Sequence, residues 1–147
     1  MNPNAQQEPR GLLFLCSGNV LRSAFCELYA KHRGLPFRIH SAGTQYRNRA
    51  LFPESRAALQ ALGVAAPLLN QFRPRHIEDF EEPLDPNSLV FGMTQAHLAA
   101  FTATFGDSHE TRLMLSVLGR NEEVDDPYFT GDYTETFEVL TECINAL

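Results

Sequence analysis

The chain has 147 residues, 44% apolar and 20% charged, with a formal net charge of −6 at neutral pH. That length fits one domain, which can bury about two-thirds of its unfolded surface and so needs no disulfide or metal to fold. The acidic balance argues against a general nucleic-acid binder, which carries a basic excess, and no apolar run approaches the ~20 residues that span a bilayer.

The first ten residues, MNPNAQQEPR, have no apolar core and read as a mobile polar tail, not a signal peptide, leaving 11–147 as a single domain. The apolar run at 12–15 predicts a strand buried on both faces of a parallel sheet. After a turn, Ala24, Phe25, Leu28 and Tyr29 recur at helical spacing. Lys31 and Arg33 suit the end of that helix, and Gly34 terminates it. Residues 37–40 predict a second strand and 53–62 a helix closed by Gly63. Residues 88–93 predict a third strand, after which Thr94 caps a helix that turns Leu98 and Phe101 inward. Residues 113–117 predict a fourth strand. Asp132 and Glu135 are spaced as a capping box for a last helix with Tyr133, Phe137, Leu140 and Ile144 on one stripe. The acidic stretch 78–85 reads as a solvated loop. This alternation predicts an α/β fold with a mainly parallel sheet, in which ligands bind at the carboxyl ends of the strands.

The turn after the first strand is therefore the first place to look for chemistry. It reads Cys16-Ser17-Gly18-Asn19-Val20-Leu21-Arg22-Ser23. Gly18 and Asn19 tolerate left-handed backbone, so successive amides can curl into one concavity at a helix N-terminus, a seat for a tetrahedral dianion. Arg22 can grip two phosphate oxygens with its planar fork, which lysine cannot do. The same positive field favours thiolate at Cys16, and Ser23 can add a hydrogen bond to the sulfur. A nucleotide-binding loop of the GxxxxGK[ST] type is absent.

A thiolate attacking phosphorus needs an acid for the leaving group. The Asp-Pro sites are Asp85-Pro86 and Asp126-Pro127. The first precedes the third strand, on the wrong side of the sheet. Asp126 follows the fourth strand and lies toward the carboxyl edge, so it is the candidate general acid and then base. The five histidines have no metal-ligand spacing and read as surface or structural residues. Cys26 and Cys143 fall on helices and read as packed. Three scattered cysteines make no disulfide framework, which suits a reducing, cytoplasmic setting.

These residues resemble the low-molecular-weight protein tyrosine phosphatases over nearly everything after the tail. The segment 16–23 matches that family's C-x5-R-[ST] loop. Residues 41–44 are similar to the segment after its second strand, residues 53–57 open a helix as in the family, and Met93 closes the third strand similarly. Asp126-Pro127-Tyr128 resembles its acid loop. The resemblance implies a phosphotyrosine phosphatase I-like fold with a four-stranded parallel sheet flanked by helices on both faces. It also implies a phosphocysteine intermediate, no metal or other cofactor, and a phosphorylated protein as substrate, with neither nucleic acid nor membrane as partner. In the family's roles Cys16 is the nucleophile, and Ser17, Gly18, Asn19, Val20, Leu21, Arg22 and Ser23 bind phosphate. Asn19 holds the loop with Ser41 as partner, and Tyr46, Arg47, Tyr128 and Phe129 line the substrate cleft.

The chain departs from the family at several positions. Leu21 replaces a frequent second cysteine, which rules out a disulfide within the loop. Asn70 stands where some members have a histidine supporting the loop asparagine. Arg47 aligns near an aromatic wall residue, Ala24 replaces a usual proline, and Phe129 replaces a frequent tyrosine. Phosphoarginine hydrolysis is a sibling activity whose members carry threonine in place of Val20. Arsenate reduction would need two further cysteines near the middle of the chain, and none lies between Cys26 and Cys143. A phosphate-binding module without turnover is the reading outside enzymology.

Overall fold

The computed structural model describes residues 10–80 and 84–147. The predicted tail therefore lies outside the described residues except for Arg10, as do residues 81–83 of the acidic loop. The chain runs β1 (Gly11–Cys16), α1 (Arg22–His32), β2 (Arg38–Gly43), α2 (Pro53–Ala61), α3 (Ala66–Gln71), β3 (Leu89–Gly92), α4 (Gln95–Phe105), β4 (Glu110–Leu113), α5 (Pro127–Thr130) and α6 (Tyr133–Asn145). The four strands are parallel in the order β2-β1-β3-β4.

Every residue of β1 is buried because the strand faces a core on each side. Leu12, Phe14 and Cys16 join Phe25 and Leu28 of α1 and Phe137 and Leu140 of α6. Leu13 and Leu15 point the other way, onto Leu98 and Phe101 of α4. The period-2 alternation of a strand thus supplies both layers from one apolar run. Phe14 stacks on Phe91 of β3 at 6.0 Å between ring centroids, and truncating it to alanine would cost about 3–5 kcal/mol. The register sets Cys16 opposite Gly43 and Leu15 opposite Gly92, so the ends of β1, β2 and β3 converge at one edge.

Three expectations need correction, and two short helices add to the predicted elements. The fourth strand is Glu110–Leu113, and the apolar run after it is a 3₁₀ turn, Met114–Leu118, ended by Gly119 at φ 74°. An edge strand with exposed Glu110, Thr111 and Arg112 has no need of an apolar pattern, whereas Met114 and Leu115 are drawn into the core with α6. The second strand extends to Gly43, so Ser41 and Ala42 lie within it and not after it. The side chain of Asp132 caps nothing. Its carbonyl accepts from the N–H and hydroxyl of Thr136, and a capping box forms instead at Thr94 and His97. α3 and α5, of six and four residues, were not foreseen because such short helices leave little periodicity to read. No helix among the described residues is long and apolar enough to cross a membrane.

Candidate active site

The chain leaves β1 at Cys16 and curls before α1 begins at Arg22. The left-handed residue of the curl is Asn19, at φ 56°. Its Oδ1 accepts the backbone N–H of Arg75 at 2.8 Å, which orients the amide. Nδ2 then donates to Ser41 Oγ at 2.7 Å and to Ser23 Oγ at 2.9 Å. Ser41 in turn donates a hydrogen bond to the buried carboxylate of Glu27 at 2.6 Å. The Ser23 hydroxyl, which accepts from Asn19, lies 2.9 Å from Cys16 Sγ and is the donor of that pair when the sulfur is a thiolate. Gly43 allows this packing, since a Cβ there would lie 2.8 Å from the carbonyl oxygen of Ser17.

Arg22 is 2% exposed. Its Nη1 donates to the carbonyl of Val124 at 2.7 Å, and its Nη2 lies 3.3 Å from Asp126 Oδ2 and 3.4 Å from Ser17 Oγ. The Nε–H is buried with no partner. A buried donor left unpaired costs about 1–3 kcal/mol, so this atom fits a site for a bound oxyanion.

A short backbone ladder delivers Asp126 to this place. Met93 N–H donates to Leu15 O at 3.1 Å, and Val124 N–H to Met93 O at 2.8 Å, so the segment before Asp126 extends from the carboxyl edge of the sheet. The Asp126 side chain also caps α5 by accepting the N–H of Tyr128 at 3.0 Å. Asp85 pairs instead with Arg38 at the amino end of β2, the opposite edge of the sheet.

Cys16, Arg22 and Asp126 line one cavity of about 500 Å³, together with Tyr46, Arg47, Tyr128 and Phe129. Cys16 is only 2% exposed overall, yet it contributes to the cavity lining, as expected at the base of a narrow seat. Ser17, Gly18, Val20 and Leu21 also line the cavity. Asn19 and Ser23 do not: both are fully buried and brace the loop from behind. Arg47 leans on Asp79 at 2.5 Å and Glu78 at 3.5 Å, so its charge is paired with acidic neighbours. Tyr128 meets Phe52 edge-on at 6.1 Å and Phe129 edge-on at 5.1 Å, and Phe129 is 76% exposed.

Asn70 does not support Asn19. It accepts from Arg56 at 3.2 Å, and the Arg75 main chain bonds Asn19 Oδ1. Glu27 and His97 were missed as site residues. The signal for Glu27 was its place on the buried face of α1, four residues after Ser23 and before Lys31, which pairs with it at 2.8 Å. His97 is buried with its Nε2 3.0 Å from Ser17 Oγ. Burial, then the charge of Arg22, lower its pKa to about 4. Cys26 and Cys143 are fully enclosed. Burial raises both thiols, Cys26 well above its ordinary value and Cys143 to about 11.

Comparison with known proteins identifies the family and the fold. The family profile for low molecular weight phosphotyrosine protein phosphatase matches residues 11–147. The low molecular weight protein-tyrosine-phosphatase PtpB of Staphylococcus epidermidis is 24% identical over 136 residues, covering 88% of this chain and 93% of the relative. The YwlE arginine phosphatase from Geobacillus stearothermophilus superposes with a TM-score of 0.78 at 22% identity, over 94% of this chain and 90% of that one. A low molecular weight protein tyrosine phosphatase from T. tengcongensis gives 0.73 at 22% identity, over 93% and 96%. The profile match across residues 11–147 shows that this chain belongs to the low molecular weight phosphotyrosine protein phosphatase family and is a phosphatase acting on phosphorylated protein.

Proposed function

We propose that the chain hydrolyses phosphotyrosine in proteins through a phosphocysteine formed on Cys16. The observation that carries this assignment is the cavity that Cys16, Arg22 and Asp126 line together, beside a buried Arg22 Nε–H that has no partner. In the first step the Cys16 thiolate attacks phosphorus as the P–O ester bond breaks. Asp126, protonated, gives its proton to the leaving phenolate. In the second step Asp126 carboxylate takes a proton from water, whose oxygen attacks phosphorus. The S–P bond breaks, releasing phosphate and the thiolate. Arg22 and the loop amides bear the charge of the transferring group.

Purified protein should hydrolyse an aryl phosphate at pH 5–7, and Cys16→Ser should abolish turnover. Mass spectrometry of quenched wild type should find one phosphate on Cys16. Binding of phosphate without turnover by wild type would favour a binding module.

A second reading is phosphoarginine hydrolysis, favoured by the structural likeness to the arginine phosphatase of G. stearothermophilus. Against it, Val20 in the cleft offers no hydroxyl where relatives with that preference carry threonine. Paired phosphotyrosine and phosphoarginine peptides of one sequence decide between them. The free state of all three cysteines supports a cytoplasmic setting, and the acidic net charge supports protein over nucleic acid as partner.

A further inference from the structure

We infer that His97 is a positioning residue for the phosphate loop: as the Nε2–H tautomer it donates to Ser17 Oγ and so fixes the hydroxyl against which Arg22 is set. The inference rests on the phosphate-loop reading above.

The backbone N–H of Thr94 donates to His97 Nδ1 at 3.0 Å. A nitrogen that accepts from a main-chain amide carries no proton, so the hydrogen of the neutral ring is on Nε2. Nε2 is 3.0 Å from Ser17 Oγ, and the histidine is therefore the donor. Arg22 Nη2 approaches the same oxygen at 3.4 Å. With two donors on it, the Ser17 oxygen holds a set orientation and its own proton is free for a third direction. Without His97 the hydroxyl can rotate away from Nη2 and leave the Asp126 carboxylate, already 3.3 Å from that nitrogen, as its remaining partner. That pairing competes with phosphate. Burial and the nearby guanidinium keep the ring neutral through the pH range of the assay, so the direction of donation is constant. A ring serving only to cap α4 would need Nδ1 alone.

Asparagine can reproduce the Nδ1 acceptor, and glutamine can reach as the Nε2 donor. The test compares the competitive inhibition constant of inorganic phosphate, and kcat/KM on an aryl phosphate, for wild type, His97→Asn, His97→Gln, Ser17→Ala and Ser17→Ala with His97→Asn. One lost neutral hydrogen bond predicts a rise in the phosphate constant of about 3–10-fold for His97→Asn, most of it recovered in His97→Gln. No further rise is expected when His97→Asn is added to Ser17→Ala. An unchanged constant in His97→Asn, or the same factor in both backgrounds, overturns the inference. Should His97→Asn not fold, ¹⁵N spectra of the wild-type ring decide. An Nε2–H tautomer whose signal moves in Ser17→Ala supports it, and an Nδ1–H tautomer overturns it. Absent turnover would defeat the hydrolase reading alone, since phosphate titration and the ring spectra still judge His97.

Discussion

Arg22 and Asp126 face each other across 3.3 Å, although 104 positions of sequence separate a helix start from a late loop. The pair leaves the Arg22 Nε–H free for an oxyanion while Nη1 is anchored on Val124. Substituting Arg22→Lys keeps the charge but loses the fork and the Val124 anchor. Charge-assisted hydrogen bonds contribute about 1.5–3 kcal/mol each, so kcat/KM on an aryl phosphate should fall about 10²–10³-fold. Near-normal activity would remove Arg22 from the phosphate seat.

Asp126→Asn should slow turnover according to the leaving group. With alkyl or weakly acidic phenyl phosphates the loss should reach about 10²–10⁴-fold, and with nitrophenyl phosphates much less. The slope of log kcat/KM against leaving-group pKa measures this. An equal loss along the series would mean that Asp126 is not the acid.

The hydrogen-bond chain from Glu27 through Ser41, Asn19 and Ser23 ends as a donor on Cys16. Ser23→Ala removes that donor, so alkylation of Cys16 by iodoacetamide at pH 6 should slow about 3–10-fold. Alkylation as fast as in wild type would show that the hydroxyl does not hold the sulfur anion.

Glu27→Ala leaves the Ser41 hydroxyl buried without its acceptor and removes the partner of Lys31. The urea midpoint should fall by the equivalent of about 1–3 kcal/mol. A stability equal to wild type would show that water replaces the carboxylate there.

His97 is held near pKa 4 in the fold against an ordinary value of 6.5. Between these values the unfolded chain binds a proton that the folded chain does not, so stability rises with pH across this window. On acidification the contribution is complete above pH 6.5 and lost as pH falls toward 4, a change of about 2–3 kcal/mol. Denaturant midpoints at pH 4.5 and 7 should differ less in His97→Gln than in wild type. Equal differences would show that His97 does not titrate this way.

The phosphate loop was legible from sequence because its chemistry is local: a nucleophile, turn formers and a guanidinium lie within eight residues between strand and helix. The choice of Asp126 over Asp85 was half legible, since topology puts strand ends on opposite edges, but the contact with Arg22 depends on the Met93 and Val124 ladder. His97 was hidden because a histidine without metal-ligand spacing reads as a surface or structural residue, and nothing near it in sequence announces Ser17. The fourth strand was misplaced because edge strands carry polar residues that an apolar search passes over.

Sequence alone determined the elements whose cause is short-range: the buried β1, the stripe of α6 and the curl that ends at Arg22. Periodicity and side-chain chemistry act over a few residues and leave a pattern that can be read. The tertiary structure decided which distant groups meet that curl: Asp126 at Arg22, Ser41 and Glu27 behind Asn19, His97 against Ser17. Those meetings follow from strand order and register, through which a parallel sheet gathers remote loops at one edge, and such pairings leave no mark on the residues nearby in the chain.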